Sequence, residues 1–277
     1  MPRAPKFPQH SQKRLREMSA RVDCFLAQLP KEFSLEETLK REKMDIDVPK
    51  EIAEKFTAVS AKEFTKKAPD SAQRIMWNKG AGFWARIERK HVFEATIKTI
   101  FKVVPFQAND RVVSLGSGPG IIETFLAKEV IPRGQLTLVD HANEMNRNAR
   151  TFAAKNGVKN MKFVTGDMSR IPLRSGTADV VLAINSLQWT EHWERAISEM
   201  KRVLKDHEDS RVVISVNAIR GSHVRAKWGL DILQDELLLQ GFIPLTAGVI
   251  TTKGQKDILN VRAIVVAKLK KPRNLNP

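Results

Sequence analysis

Three groups of residues in this chain have the types and spacing to hold a nucleoside. The first is LGSGPG, Leu115 to Gly120, set between a short apolar run and a stretch of helical periodicity. Gly116, Gly118 and Gly120 suit a sharp turn whose backbone must approach a ligand with no Cβ in the way. The helix that follows presents unpaired backbone N–H groups. The second is Asp140, which ends the next apolar run twenty positions after Gly120. An acid there can accept hydrogen bonds from both hydroxyls of a ribose. The third is Asp167, behind Gly166 at the end of a further apolar run. A carboxylate there can accept from an exocyclic adenine amine while Met168 covers the base. A glycine loop alone serves many α/β domains, and an acid at a strand end can simply close a turn. The order and spacing of all three carry the reading.

The pattern of apolar residues names the elements that must position these groups. From Asn109 onward, strand-like and helix-like segments alternate. RVVSL (111–115) leads to GIIETFLAKEVI (120–131), QLTLVD (135–140) to NEMNRNARTFAAKN (143–156), and MKFVTGD (161–167) stands third among the strands. DVVLAIN (179–185) precedes HWERAISEMKRVLK (192–205), RVVISVN (211–217) precedes a helix over 224–240, and two late strands occupy 242–251 and 260–269. This alternation predicts an α/β fold: a Rossmann-like, doubly wound, mostly parallel sheet of seven strands, covered on both faces. The three groups then lie at the carboxyl ends of successive strands, where open sheets bind ligands. Residues 1–105 read differently. Segments 19–30, 49–68 and 82–104 place apolar residues three and four apart, which is helical spacing. Asp70 and Ser71 can cap a helix start, and Pro105 ends the last helix. The chain thus divides into an N-terminal helical extension or cap (1–105), the α/β domain (106–269) and a polar tail (270–277).

Four segments in order, VVSLGSGPG, LTLVDHANEMN, FVTGDMSRIPLRSGTADVV and LAINSLQWTEHWERAISEMKRVLK, resemble the motifs of class I S-adenosylmethionine (SAM)-dependent methyltransferases. The similarity is to the subgroup that includes ubiquinone and menaquinone biosynthesis methyltransferases. It covers residues 109–217 and favours this family over a nicotinamide-binding one. The resemblance implies SAM as cofactor, with the backbone of Gly116, Ser117 and Gly118 lining its methionine portion. Asp140 would hold the ribose with His141 bordering it, and Asp167 and Met168 would contact adenine. Asn185 and Ser186 would face the sulfonium and the substrate, and Trp189 and Trp193 would form a substrate wall. Core packing on its own helix is the simpler reading of Trp193. Two positions depart from the family. Ser114 stands where the family usually has Asp or Glu, an acid that supports the loop and the cofactor's amino group. DHEDS (206–210) replaces the usual Pro-Gly-Gly before strand five.

Methyl transfer from a sulfonium is an in-line displacement with a neutral leaving group. Alignment of nucleophile and methyl supplies much of the rate, and neither a nucleophilic side chain nor a metal is required. A hydroxyl or acidic carbon as acceptor gains from a nearby general base. His141, His192 and His223 are candidates by type, as is Glu191. Strand four ends in INSLQW, without the Asn-Pro-Pro-Tyr or Asp-Pro-Pro-Tyr of many DNA and RNA amino-group methyltransferases. That points to a small organic or lipid-like acceptor.

The charge points elsewhere. Lys and Arg number 47 against 31 Asp and Glu, a net +16, and a field of that sign favours polyanions. An RNA- or ribosome-directed methyltransferase is therefore the second expectation. Lys79, Phe83, Trp84, Arg86, Arg89 and Lys90 interleave bases and aromatics that could meet phosphates and nucleobases. The same segment could instead pack on the sheet through Phe83, Ile87, Val92 and Phe93, or lid an active site and exclude water. A third expectation is a methyltransferase-like assembly factor that binds the cofactor without catalysis. The single cysteine, Cys24, excludes an intramolecular disulfide and a cysteine metal cluster, and suits a reducing compartment. No apolar run approaches the roughly 20 residues that cross a bilayer. We expect a cytoplasmic protein. The alternative is the mitochondrial matrix, because Arg3, Lys6, Lys13, Arg14 and Arg16 precede the first acid, although Pro2, Pro5 and Pro8 oppose a continuous helix there.

Overall fold

Runs rich in Val and Ile favour extended, pleated backbone, and they supply the strands: β1 (Arg111–Leu115), β2 (Gln135–Asp140), β3 (Met161–Thr165), β4 (Val180–Ile184), β5 (Arg211–Asn217), β6 (Phe242–Thr251) and β7 (Val261–Leu269). Between them lie α1 (Ile121–Phe125), which runs on into a π-helical turn over Leu126–Val130, then α2 (Asn143–Lys155), α3 (Trp193–Val203) and α4 (His223–Leu239). The computed structural model describes residues 103–190, 192–217, 223–251 and 261–269, with positions 17, 20, 21, 24, 74, 75, 77–79, 81, 97 and 100. Glu191, the stretch 82–96, the 270–277 tail and the side chain of His223 lie outside the described residues. Among the described residues no helix is long and apolar enough to cross a membrane.

The seven strands form one sheet in the order β3-β2-β1-β4-β5-β7-β6. The first five are parallel, and β7 runs antiparallel between β5 and β6. Successive strand residues face opposite ways, so each strand feeds two cores. Val112, Val180 and Leu182 pack with Ile121, Phe125 and Leu126 on one face, where Ile97, Ile100, Val104 and Phe106 are also buried. Val113, Leu115, Val181 and Ala183 pack with Ile197 and Met200 of α3 and with Leu233 and Leu237 of α4 on the other. Strand order reverses between β1 and β4, which opens a crevice at their carboxyl ends. β3 and β4 stop at Thr165 and Ile184, so Asp167 and Asn185 stand in the loops beyond rather than on the strands.

Candidate functional site

The LGSGPG loop leaves β1 at this crevice. Gly116, Gly118 and Gly120 have φ of 60°, 56° and 68°, left-handed values that strain an L side chain. At Gly116 space is lacking as well: a Cβ would stand 2.5 Å from Ser186 Cβ and 3.0 Å from Met168 Cε. The loops after β1, β3 and β4 therefore meet at one backbone atom. Ser186 locks the meeting, its hydroxyl donating to the Leu115 carbonyl at 2.7 Å. The residue expected to face the substrate thus also carries a structural bond. At 4% exposure its hydroxyl hydrogen joins β1 to the loop after β4.

Asp140 ties the glycine loop to β2. Its Oδ2 accepts the Gly118 N–H at 2.9 Å and its Oδ1 accepts the Ala142 N–H at 2.9 Å. Burial pushes its pKa above the ordinary value, opposed by those two N–H groups and by neighbouring His141. Each carboxylate oxygen keeps a further lone pair, so hydroxyls of a ribose remain within its capacity. Asn146 of α2 extends the stitching, donating from Nδ2 to the carbonyls of Asp140 and Val164 at 3.2 Å and to Thr165 Oγ1 at 3.3 Å. Sequence reasoning missed Asn146; a polar residue on the buried side of an amphipathic helix was the available signal. Asp167 accepts the Ser169 N–H at 2.7 Å and so closes its own turn. Farther along, Glu199 accepts the Ile171 N–H, and Arg202 donates to the Ile171 and Leu173 carbonyls, each at 2.8 Å. The hydrogen bond from Arg202 holds the Glu199 carboxyl below its usual range. This pair pins the segment that follows Asp167 and Met168.

Asn185 is the non-glycine residue with positive φ among the described residues, at 54°. Asn tolerates this region better than most side chains, and Ser215 of β5 holds it there. The Asn185 N–H donates to the Ser215 carbonyl at 2.9 Å and to its hydroxyl at 3.1 Å. The hydroxyl in turn donates to Asn185 Oδ1 at 3.1 Å. Ser215, fully buried, was also missed; it is the lone hydroxyl in RVVISVN. Gln188 donates to the Asn185 carbonyl at 3.1 Å.

The N-terminal region reaches this end of the sheet. Ala142 occupies the N-cap of α2 and offers no side-chain oxygen, so an N–H of the first turn needs another acceptor. Asn78 supplies it, its Oδ1 accepting the Glu144 N–H at 3.0 Å. Trp77 and Ala81 pack with Ala142 and Met145. Trp77 also meets Trp189 edge to face, ring centroids 5.1 Å apart. Trp77, Asn78 and Ala81 thus bridge the loops that follow β2 and β4. Trp77 and Asn78 were not singled out from the sequence, because nothing local marks them as partners of residues about 65 and 110 positions away. Trp193 packs, half-buried, on the apolar cluster of the second face. His141 is half-buried beside Asp140, while His192 is exposed at the start of α3.

Two side-chain atoms on the loops flanking the crevice, Ser117 Oγ and Gln188 Oε1, are buried without a hydrogen-bond partner. Such atoms cost about 1–3 kcal/mol each and are rare in folded proteins. They mark positions where a polar ligand would satisfy the loops.

Residues 112–207 match the family described as methyltransferase domain. A malonyl-[acyl-carrier protein] O-methyltransferase of Geobacter sulfurreducens is 30% identical over 118 residues, 43% of this chain and 42% of the relative. An arsenite methyltransferase of Halobacterium salinarum is 32% identical over 106 residues, 38% of this chain and 27% of the relative. The chain thus spans less than half the length of either relative. Among solved structures, a SAM-dependent methyltransferase from Aquifex aeolicus superposes with a TM-score of 0.56 at 18% identity, covering 69% of this chain and 97% of that one. The [4+2]-cyclase SpnF superposes with a TM-score of 0.55 at 16% identity, covering 64% and 80%. Residues 112–207 thus match a methyltransferase domain, and the fold is that of the SAM-dependent methyltransferase from Aquifex aeolicus. The crevice fits that cofactor. Gly116 leaves a cradle that a Cβ would fill, Ser117 Oγ has no internal partner, and Asp140 retains acceptor capacity on β2.

Proposed function

We propose that the chain binds SAM in the crevice between β1 and β4 and transfers its methyl group to a small organic or lipid-like acceptor. When bound, the cofactor supplies an electrophilic methyl on a sulfonium. The chain's own residues bind and orient. The loop from Gly116 to Gly118, with Ser117 Oγ, receives the methionine portion, Asp140 the ribose, and Asp167 with Met168 the adenine. Asn185, held by Ser215, sits where β4 ends against β1 and fixes the floor on which the acceptor is aligned. Because alignment supplies much of the acceleration in such a displacement, a rigid floor matters more than a reactive side chain. His141, half-buried beside Asp140, is the candidate base that the geometry favours over exposed His192.

The observation that carries the acceptor reading is the bridge from Trp77 to Ala81. It draws the β2 and β4 loops together and would exclude water around a small acceptor. Its aromatic pair offers apolar surface with little rotamer entropy to lose. The relatives named for malonyl-[acyl-carrier protein] and arsenite support a small reacting group. Calorimetry with SAM on the native chain, Asp140→Ala and Asp167→Ala tests the site. We expect binding by the native chain and strong weakening in both variants. Absence of binding by the native chain overturns the reading and leaves the assembly-factor alternative. Transfer of labelled methyl to RNA rather than to small acids, thiols or quinols would overturn its acceptor half.

A further inference from the structure

Glu123 lies in the first turn of α1, three residues past the glycine loop, and is 3% exposed. Its Oε1 accepts the Ser114 hydroxyl at 2.7 Å, and Ser114 immediately precedes the loop. The pair therefore clasps the two ends of LGSGPG together beneath it. A buried carboxyl is costly unless a cation or several donors support it. Glu123 has the Ser114 hydroxyl and its own backbone N–H, and the charged group that bears on it is another carboxylate, Asp140. No cation of the described residues is among the groups acting on it. An apolar residue would fill this place in the Ile121, Ile122 and Phe125 layer at less cost. The electrostatics beneath the loop are thus incomplete in a definite sense: negative charge is provided for, and the balancing positive charge is not.

SAM carries one positive charge overall, from its sulfonium, ammonium and carboxylate, whereas its demethylated product, S-adenosylhomocysteine, is neutral. We propose that Glu123 is a specificity residue for cofactor charge, a carboxylate set under the loop that favours the cationic methyl donor over the neutral product. This rests on the reading of the loop as the SAM site. Donor binding draws Glu123 toward its ionised form. Loss of the sulfonium charge on methyl transfer lets the carboxyl regain a proton from solvent, which weakens the hold on product. The groups that set its titration point in the same direction. Burial first, and Asp140 last, raise the carboxyl from the ordinary 4.5 to about 7, while the Ser114 hydroxyl and its own N–H lower it. The protonated and ionised forms are therefore both accessible near neutrality.

Isothermal titration calorimetry of the native chain with SAM and with S-adenosylhomocysteine, from pH 6 to 8.5 in two buffers of different ionisation enthalpy, tests this. The native chain should release a proton on binding SAM near pH 7. Its preference for SAM over product should rise with pH, by about tenfold for each unit by which SAM lowers the Glu123 pKa. Glu123→Gln keeps the size and the bond to Ser114, and experiences the same titration of the ligands' own groups; it should lose the extra proton release and the extra pH dependence. Ser114→Ala removes a hydrogen bond that favours the ionised form, and should move the midpoint to higher pH. A native preference that does not change with pH relative to Glu123→Gln overturns the inference alone, provided both ligands bind. Failure of the native chain to bind either ligand overturns the cofactor reading and this inference with it. If Ser114→Ala leaves the midpoint in place, Glu123 is not the titrating group.

Discussion

The two ends of this sheet are both polar, but they treat charge in different ways. At the amino ends of the strands lies a groove of about 800 Å³, lined among others by Arg111, Arg133, Asp179, Lys205, His207 and Asp209. Its charges answer one another. Lys205 pairs with Asp179 at 2.6 Å, the Arg111 N–H donates to Asp179 at 2.8 Å, and buried Arg211 faces Asp110 at 3.4 Å while donating to the carbonyls of Pro105 and Asp209. Ser210 Oγ and Arg211 Nε lack partners there, but neither residue lines the groove. Burial raises the pKa of the Asp110 carboxyl, but Arg211 and Lys205 oppose that rise; at the carboxyl ends no Lys or Arg of the described residues does so. Asp140 and Glu123 are buried and both raised in pKa by that burial, Ser117 and Gln188 present unpaired oxygens, and Asn185 holds a left-handed backbone. Volume marks the first end, and unmet chemistry marks the second. Unpartnered polar atoms on the loops at the point where strand order reverses are ones that a bound ligand can satisfy.

This contrast is sharpest at Asp140. Asp140→Ala strands the Gly118 and Ala142 N–H donors and removes the ribose acceptor. Losing charge-assisted hydrogen bonds at about 1.5–3 kcal/mol each, SAM affinity should fall on the order of 100-fold by calorimetry. Lys205→Ala at the amino end is the counterpart. It breaks a pair that joins Asp179 to the start of the β5 loop, and should cost about 1 kcal/mol in denaturant unfolding. Its SAM affinity should stay within about twofold of native, since distant sites act independently. A Lys205→Ala variant with strongly weakened SAM binding would break the division between the two ends.

Glu123 supplies the next effect in size, and its sign can be worked out. A folded-state pKa of about 7 against an ordinary 4.5 means the folded chain holds this proton more tightly than the unfolded one. The associated stability is fully present below pH 4.5 and is lost as pH rises through 7, by about 3 kcal/mol across the interval. Glu123→Gln does not titrate. Without ligand, it should match the native chain near pH 4 and exceed it by up to about 3 kcal/mol near pH 8. Denaturant melts at the two pH values check this, and equal stability at both would mean the carboxyl is better solvated than its burial implies.

The sheet was legible in the sequence because its signals are local. RVVSL, QLTLVD and RVVISVN are short β-branched runs whose alternate residues face opposite cores, and their order with the intervening amphipathic helices fixes a doubly wound class. Gly116 and Asp140 were legible for the same reason: each sits where a strand gives way to a loop, Gly116 in a left-handed turn and Asp140 as acceptor for two backbone N–H groups. What stayed hidden depends on separation along the chain. Ser186 reads as a loop hydroxyl, and its hydrogen bond to the Leu115 carbonyl, 71 positions away, has no local signal. Ser114 reads as a missing acid until Glu123, a turn into the helix, is found to place a carboxyl against it. Trp77 and Asn78 carry no local pattern that names Trp189 or Glu144. Chain composition was the least informative signal, since +16 spread over both halves fixes no face of the molecule.

Asn78 tests whether the N-terminal region belongs to the crevice or merely rests against the sheet. Its side chain caps α2 from another part of the chain, and removal of an N-cap acceptor typically costs about 1 kcal/mol. For Asn78→Ala we expect that loss of stability together with a rise in acceptor KM of several-fold, while SAM affinity changes little. Asn78→Asp, which keeps an acceptor at the positive end of the helix, should restore both. A loss of stability with no change in KM would make the bridge purely structural and remove the main support for an enclosed acceptor.

The smallest effect should come from Ser215, and it discriminates best between alignment and binding. Ser215→Ala deletes a buried hydroxyl that both accepts from the Asn185 N–H and donates to Asn185 Oδ1, but it leaves the 2.9 Å bond to the Ser215 carbonyl intact. Stability should fall by only about 1 kcal/mol. Asn185 then has one tether to β5 instead of three, and the residue can relax away from the end of β1. If the crevice works by alignment, kcat should drop by about five- to tenfold while KM for the acceptor and SAM affinity hold, because only the aligned state is lost. A rise in KM at constant kcat would instead place Asn185 in ground-state binding. Asn185→Gly separates the two further, since it accepts the same φ without strain and lacks the amide. Recovery of kcat in the Ser215→Ala, Asn185→Gly double variant would show that backbone position, rather than the Asn185 side chain, is what β5 maintains.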